Sequence, residues 1–143
     1  MCTGMSRSAR RVTTTRPIPP RLLRAYRDTT YRVDGVAVRI GRRSPDALFD
    51  RLHGRMAVLV TAWNPLSRRM PDGWNHRMQE RLRRQLRRSV VLEADGSLHR
   101  WREAMLLVAG DYRPFIRAAA RFRQHAVVIL CRGQRARVRV RLV

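Results

Sequence analysis

Lysine is absent from this 143-residue sequence, so all 32 basic side chains are arginine. Only 10 residues are acidic, which leaves a formal net charge of +22 at pH 7. A charge of this size repels itself in the compact state and attracts polyanions. Codon bias in the genome explains arginine in place of lysine, but by itself it does not explain the shortage of acids. The charge favours a polyanionic partner without naming a reaction.

Cysteine, long apolar runs and metal-ligand spacings are also scarce. Two cysteines, Cys2 and Cys131, are too few for a disulfide framework, so a reducing, cytoplasmic setting is expected. No apolar run approaches the roughly 20 residues of a membrane span, so no membrane association is expected. The four histidines are scattered and none has metal-ligand spacing to a cysteine, which predicts no metal site and no cofactor. A glycine-rich phosphate loop is missing too.

The length and the 44% hydrophobic content fit one domain with a real core. Residues 1–19 are rich in Arg, Ser and Thr, and the first acid is Asp28. We interpret residues 1–19 as a disordered basic arm and residues 20–143 as a single domain. A transit peptide is the alternative, although Pro17, Pro19 and Pro20 interrupt any amphipathic helix there.

Turn and cap signals divide the rest of the chain. Pro20–Arg27 is predicted to be a short helix, and a hairpin is predicted around Asp34-Gly35. Ser44 is predicted to cap a second helix, which Gly54 ends. Further predictions are a helix over 71–88, a hairpin of strands 90–93 and 98–101 around Asp95-Gly96, a helix capped by Asp111, and a closing hairpin of strands 127–131 and 135–142.

Two runs, Met56–Trp63 and Ala104–Ala109, are almost wholly apolar, which is typical of strands buried on both faces. From Met56 onward the order is strand, helix, strand, strand, helix, strand, with one extra strand. This order predicts an α+β fold with a ferredoxin-like split β-α-β core, an extra C-terminal strand and an N-terminal helix and β-hairpin extension. We expect the two apolar strands to lie adjacent and parallel.

Several polar residues flank the predicted core strands. Asn64, Ser67, Asn75 and Gln124 are expected to gather at one edge of the sheet, whereas Glu103 is expected at the opposite edge. Amide side chains both donate and accept hydrogen bonds, so the cluster has the chemistry to bind a base edge or another small ligand. The alternative is that these side chains only satisfy the backbone of a turn.

Signals for catalysis are weak. Glu103 has no second carboxylate at useful spacing, and an ion pair with one of the many arginines is the simpler interpretation. Ser67 has no evident histidine partner, and Cys131 lies in a predicted strand. The sequence therefore leaves it open whether the protein is an enzyme.

The closing strand carries a regular pattern of charge. Arg135, Arg137, Arg139 and Arg141 alternate with Ala136, Val138, Val140 and Leu142. A period of two places the four guanidinium groups on one face. Charges on an edge strand also block aggregation, but one or two would be enough for that. Four in register favour a binding surface.

A set of spaced motifs runs through the chain: Ala25-Tyr26, Thr30-Tyr31, the run from Thr61 to Ser67, Asn75, Trp101-Arg102-Glu103, Gly110, and the run from Phe122 to Ala126. Together these motifs resemble those of the bacterial family catalogued as domain of unknown function 3293. The resemblance spans roughly Leu22 to Leu142, and it implies no activity.

Charge and pattern together favour non-sequence-specific binding of RNA or DNA. One alternative is a small-molecule-binding or enzymatic domain that uses Asn64, Asn75 and Gln124. Another alternative is a module that docks an acidic protein. Tyr26, Tyr31 and Trp63 are candidates for stacking on bases if they are exposed. The predicted nucleic-acid surface consists of Arg77, Arg81, Arg84, Arg88, Arg113, Arg117, Arg121, Arg135, Arg137, Arg139 and Arg141.

Overall fold

The computed structural model describes residues 19–140. The predicted arm, apart from Pro19, and Arg141 of the closing strand lie outside these residues. The described chain is α+β, with four helices and seven strands in one sheet. The helices are α1 Pro20–Asp28, α2 Asp46–Leu52, α3 Asp72–Gln85 and α4 Tyr112–Arg121. The strands are β1 Thr30–Val33, β2 Val36–Val38, β3 Met56–Val60, β4 Val91–Leu98, β5 Trp101–Ala109, β6 Ala126–Cys131 and β7 Arg137–Val140.

The sheet has the order β2-β1-β4-β5-β3-β6-β7, and every neighbouring pair is antiparallel. The two apolar strands, β3 and β5, are adjacent and central as predicted. Their predicted parallel direction is wrong, because Ala57 pairs with Ala109 and Val60 with Leu106. The reason lies in the connections. After β3, helix α3 returns the chain so that β4 runs parallel to β3. The β4–β5 hairpin then reverses the chain, so β5 runs antiparallel to β3.

Side chains alternate between two cores on the two sides of the sheet. On the side that holds α3 and α4, called the helix side below, these two helices pack over Val58, Leu106 and Ile129. On the other side, Leu59, Leu107 and Val128 pack with the apolar residues of α2. Each central strand is therefore apolar at successive positions, because both of its faces are covered.

The two edges of the sheet approach each other after β2 and before β7. Single bridges join Ile40 to Ala136 and Arg43 to Arg135. The Gly41 N–H donates to the Ala136 carbonyl at 2.8 Å, and the Ala136 N–H donates to the Arg42 carbonyl at 2.8 Å. These contacts curl the sheet, so the side that holds α2 becomes concave. Within the described residues, no helix is long and apolar enough to span a membrane.

One predicted turn and one predicted helix cap are confirmed, and a second predicted turn is wrong. Asp34 and Gly35 have φ of 48° and 79°, as the tight hairpin between β1 and β2 requires. Asp111 caps α4, its side chain accepting from the Arg113 N–H. The hairpin predicted around Asp95-Gly96 instead turns at residues 99–100, and β4 runs straight through both residues.

Gly96 is glycine because of packing and not because of a turn. A Cβ built at this residue would lie 3.2 Å from the ring of Tyr31 and 3.2 Å from the Met105 sulfur. The sequence signal for a hairpin was therefore a false one. Glycine is needed at this position because β4 passes close to the buried Tyr31 of β1.

The predicted helix ends also shift. Ser44 does not cap α2, whose first residue follows Pro45 without a side-chain cap, and His53 in the left-handed conformation ends the helix. The buried line of α3 is apolar only in its second half. Leu82 and Leu86 are core residues, whereas the polar Asn75 and Gln79 occupy the buried line of its first half. That departure from an apolar stripe marks the end of the sheet where the candidate site lies.

Replacing Gly96 with valine tests the close approach between β4 and Tyr31. We expect the free energy of unfolding to fall by about 1–3 kcal/mol, because the added carbons overpack the space against Tyr31 and Met105. Gly73→Ala in α3 is the control, since its Cβ would meet only the flexible Arg77 side chain at 3.7 Å. That change should leave stability unchanged or raise it by up to about 1 kcal/mol. Urea unfolding of both variants measures the contrast, and equal stability of the two would contradict the packing argument.

Candidate functional site

The chain segment after β3 has an unusual backbone. Asn64, Leu66 and Ser67 all have positive φ, at 46°, 53° and 59°. Asparagine tolerates the left-handed region, but leucine rarely occupies it. His99 and Arg123, in two other connections at this end of the sheet, have φ of 53° and 54°. Strained residues of this kind gather where a structure holds a functional arrangement in place.

Two buried asparagines hold this segment against α3. The Asn64 N–H donates to Asn75 Oδ1 at 3.0 Å, and Asn75 Nδ2 donates back to Asn64 Oδ1 at 3.0 Å. Asn64 Oδ1 also accepts from the Met70 N–H at 2.9 Å. Asn75 is only 1% exposed. The predicted proximity of these two residues is confirmed, and both side chains satisfy the backbone of the turn.

Further amide side chains complete the support. Gln124 Nε2 donates to the Trp63 carbonyl at 2.9 Å, so it joins the asparagine cluster as predicted. Gln79 was missed by sequence reasoning. Its Oε1 accepts from the Ala62 N–H at 2.8 Å, and the residue is 5% exposed. The available signal was its spacing, one helical turn after Asn75 on the side of α3 that faces the sheet.

Glu103 lies in this cluster, and its predicted placement at the opposite edge is wrong. Asn64 Nδ2 donates to Glu103 Oε1 at 3.0 Å, and Trp101 Nε1 donates to the same oxygen at 3.0 Å. The error follows from the strand direction. Because β5 is antiparallel to β3, its first residues lie at the sheet end where β3 finishes.

A cavity of about 420 Å³ opens beside Glu103 on the concave side of the sheet, between the strands and α1. Its floor is the concave-side core, and its roof includes Leu22, Ala25 and Tyr26 of α1. No residue of α1 is fully buried, so this helix covers the cavity loosely. The polar or titratable lining residues are Tyr26, Thr29, Tyr31, Thr61, Asn64, Ser67, His99, Trp101, Glu103 and Gln124.

Among residues 19–140, no arginine lines this cavity, although 32 of the 143 residues of the chain are arginine. Glu103 is the one acidic residue among these lining residues. Seven other acids form ion pairs with arginine, whereas Glu103 forms none within residues 19–140. The ion pair expected from the sequence is therefore not present in the described chain. Glu103 Oε1 holds two donors, and Oε2 has no hydrogen-bond partner among the described residues.

Burial changes the titration of the groups around the cavity. Loss of hydration raises the pKa of the Glu103 carboxyl, and the hydrogen bonds from Asn64 and Trp101 oppose that rise. Burial also raises the pKa of the Tyr26 and Tyr31 phenols, and the nearby Glu103 charge adds to the rise in both. The cavity thus brings together a carboxyl, two neutral phenols and the apolar sheet surface.

Two further residues with reactive side chains line the cavity. Ser67 was predicted as a site residue, whereas His99 was not. No hydrogen bond joins the two in the described structure. Within the same residues, no group of three or more His, Cys, Asp or Glu side chains is placed to hold a metal ion.

Ten of the predicted nucleic-acid-binding arginines lie in the described chain, and all ten are exposed. In β7, Arg137 pairs with Ile129 and Arg139 with Val127, which are core residues of the helix side. Arg139 also lies 5.6 Å from the centre of the Tyr112 ring of α4. One side of the sheet therefore carries the exposed arginines of α3, α4 and β7, namely Arg77, Arg81, Arg84, Arg113, Arg117, Arg121, Arg137 and Arg139.

Comparison with protein families gives a match to part of the chain. The family model described as "Protein of unknown function (DUF3293)" matches residues 60–127. The match supports the assignment to this family that the motifs suggested. It is shorter than the resemblance seen in the sequence, but it includes Asn64, Asn75, Glu103 and Gln124. No curated protein and no solved structure matches the chain.

The raised pKa of Glu103 predicts a pH-dependent effect of Glu103→Gln. A raised folded-state pKa gives stability that is present in full below the unfolded value of about 4.3 and is lost as the pH rises through the folded value. Glutamine does not titrate, so we expect the variant to gain stability relative to the parent as the pH is raised from about 4 to 7. Urea unfolding across this range measures the difference. Asp28→Asn, which removes an exposed acid of α1, is the control, and parallel pH profiles for Glu103→Gln and the parent would contradict the prediction.

Proposed function

We propose that the protein binds a small molecule in the cavity beneath α1, with Glu103 as its anchoring group. The observation that carries this proposal is a carboxyl with no arginine partner among residues 19–140, in a cavity that no arginine of these residues lines, within a chain that is rich in arginine. A partly buried acid that served only stability would find a guanidinium partner easily in such a composition. The free Glu103 Oε2 is an acceptor for a ligand instead.

The lining defines the kind of ligand. Leu59, Met105 and Val128 offer an apolar surface, and Tyr26 and Tyr31 add aromatic rings. A volume of about 420 Å³ lies within the usual range for ligand cavities of roughly 300–1,000 Å³. The ligand that fits is small, has a flat or apolar body, and presents N–H donors to Glu103. The same carboxyl, with its raised pKa, is the group on which any proton transfer in this cavity would depend.

Benzamidine is a suitable probe, because it carries N–H donors on a flat apolar ring. We expect it to bind in the cavity, and we expect Glu103→Gln to weaken binding by about tenfold or more, since a hydrogen bond to a charged acceptor is lost. Benzoate, which has a similar shape and the opposite charge, should not compete. Ligand-observed NMR and calorimetry measure both affinities.

Asp72→Asn is the matched control for this experiment, because it removes one exposed acid outside the cavity. It should leave the affinity for benzamidine unchanged. If the parent and Glu103→Gln bind benzamidine equally, Glu103 is not the anchor and the proposal fails.

A second candidate function is non-sequence-specific binding of RNA or single-stranded DNA. The gathering of eight exposed arginines from α3, α4 and β7 on one side of the sheet supports it. Phosphate contacts from such a surface bind every sequence alike. Arg113 is paired with Asp111 at 2.8 Å, so the other seven are the stronger contributors.

Two triple variants separate this surface from net charge alone. One variant removes three charges from α3 by changing Arg77, Arg81 and Arg84 to glutamine. The other removes three charges from α1, on the other side of the sheet, by changing Arg21, Arg24 and Arg27 to glutamine. The logarithm of the binding constant for oligo(dT) should fall less steeply with the logarithm of salt in the α3 variant, by about two in slope. The α1 variant should keep most of the parent slope. Equal changes would show that no particular face binds.

We also propose a ferredoxin-like arrangement for the middle of the sheet. Strands β4, β5, β3 and β6 are neighbours, and two helical crossovers, β3-α3-β4 and β5-α4-β6, each pass over one intervening strand. These connections support the split β-α-β description. The hairpin of β1 and β2 extends one edge of the four strands, and β7 extends the other.

A further inference from the structure

A second pocket adjoins the cavity at the same end of the sheet. It measures about 480 Å³ and lies on the helix side, where Asn75 and His76 of α3 form part of its wall. Asn64 and Trp101 line both spaces. A ligand that extends past these two residues would therefore reach from the cavity into the second pocket.

The two spaces differ in charge. Three arginines, Arg69, Arg100 and Arg102, line the second pocket, against the aspartates Asp72 and Asp95. Arg102 is paired with Asp95 at 3.2 Å, whereas Arg69 and Arg100 are exposed and form no ion pair within residues 19–140. The second pocket thus has two guanidinium groups available for an anion, and the cavity has one carboxylate oxygen available for an N–H donor.

We infer that the ligand is a nucleotide whose base carries an exocyclic amino group, with the base in the cavity and the phosphate beside Arg69 and Arg100. This inference rests on the proposed function of the cavity. A carboxylate accepts a hydrogen bond from an exocyclic amino group such as N4 of cytosine. Arginine is the usual partner of phosphate.

Cytosine and uracil present different edges to Glu103. Cytosine offers the amino group N4 to the carboxylate, whereas the single N–H donor on the same edge of uracil lies between two carbonyl oxygens, which would place acceptors against the carboxylate. The net charge of +22 attracts the phosphate of either nucleotide and does not discriminate between them. The inference therefore predicts a preference for cytidine over uridine that is independent of the phosphate.

The experiment compares cytidine and uridine 5′-monophosphates by calorimetry. We expect the parent to bind the cytidine form about tenfold or more tightly. Glu103→Gln should lose this preference, because an amide faces an amino group or a carbonyl equally well. Equal binding of the two nucleotides by the parent would overturn the inference.

A second pair of variants tests the position of the phosphate. Arg69→Gln with Arg100→Gln should reduce the affinity for cytidine 5′-monophosphate towards that for cytidine and leave cytidine itself unaffected. The control is Arg42→Gln with Arg43→Gln, two exposed residues at the other end of the sheet, which should change neither affinity. Equal losses in the two double variants would overturn the placement of the phosphate.

Two further measurements separate the possible sources and failures. Binding of oligo(dC) and oligo(dT) of equal length shows whether the preference for cytosine also applies to a nucleotide within a strand. A preference for oligo(dC) without a preference between the mononucleotides would assign the site to single-stranded nucleic acid. If benzamidine binds through Glu103 while no nucleotide shows a base preference, the nucleotide inference fails and the small-molecule site stands. If Glu103→Gln changes the affinity for neither benzamidine nor the nucleotides, both the nucleotide inference and the proposed small-molecule site fail.

Discussion

Antiparallel pairing between β3 and β5 is the constraint on which the candidate site depends. It sets the end of β3, with Asn64, beside the beginning of β5, with Trp101 and Glu103. One hydrogen bond from Asn64 then links the strained turn to the carboxyl that faces the cavity. A change in the direction of either strand would separate these residues by the length of the sheet.

The same pairing confines charge to the periphery of the fold. The two central strands are buried on both faces, so polar and charged side chains are confined to the strand ends and the outer elements. Exposed arginines lie on α3, α4 and β7 on the helix side and on α1 on the concave side, while no arginine of residues 19–140 lines the cavity. Helices α3 and α4 cover the apolar surface on one side of the sheet. The curled edges of the sheet, together with α1 and α2, cover the apolar surface on the other side.

Local signals in the sequence predicted local structure well. Asp34-Gly35 and Asp111 act through their own backbone neighbourhood, so their effects do not depend on the rest of the fold. The hairpin predicted at Asp95-Gly96 was wrong, because Gly96 is required by its close contact with Tyr31. Tyr31 lies 65 positions away in the sequence, and only the sheet brings the two residues together. Glu103 was misplaced for a similar reason. Its position follows from the direction of β5, which the connection through α3 and the β4–β5 hairpin sets and which the apolar run alone does not show.

Asn64, Asn75 and Gln124 were found from the sequence because amides near strand ends and turns serve the backbone in most folds. Those side chains are largely committed to that task, since Asn64 Oδ1 holds two donors and Gln124 Nε2 binds a carbonyl. They are therefore poorly placed to recognise a ligand themselves. Their role is to fix the turn and, through Asn64 Nδ2, to orient Glu103. Trp101 donates to the same oxygen, which leaves Oε2 as the carboxylate oxygen without a hydrogen-bond partner among the described residues. Two donors on one oxygen and none on the other is an arrangement that stability alone does not require, because an arginine would have satisfied both.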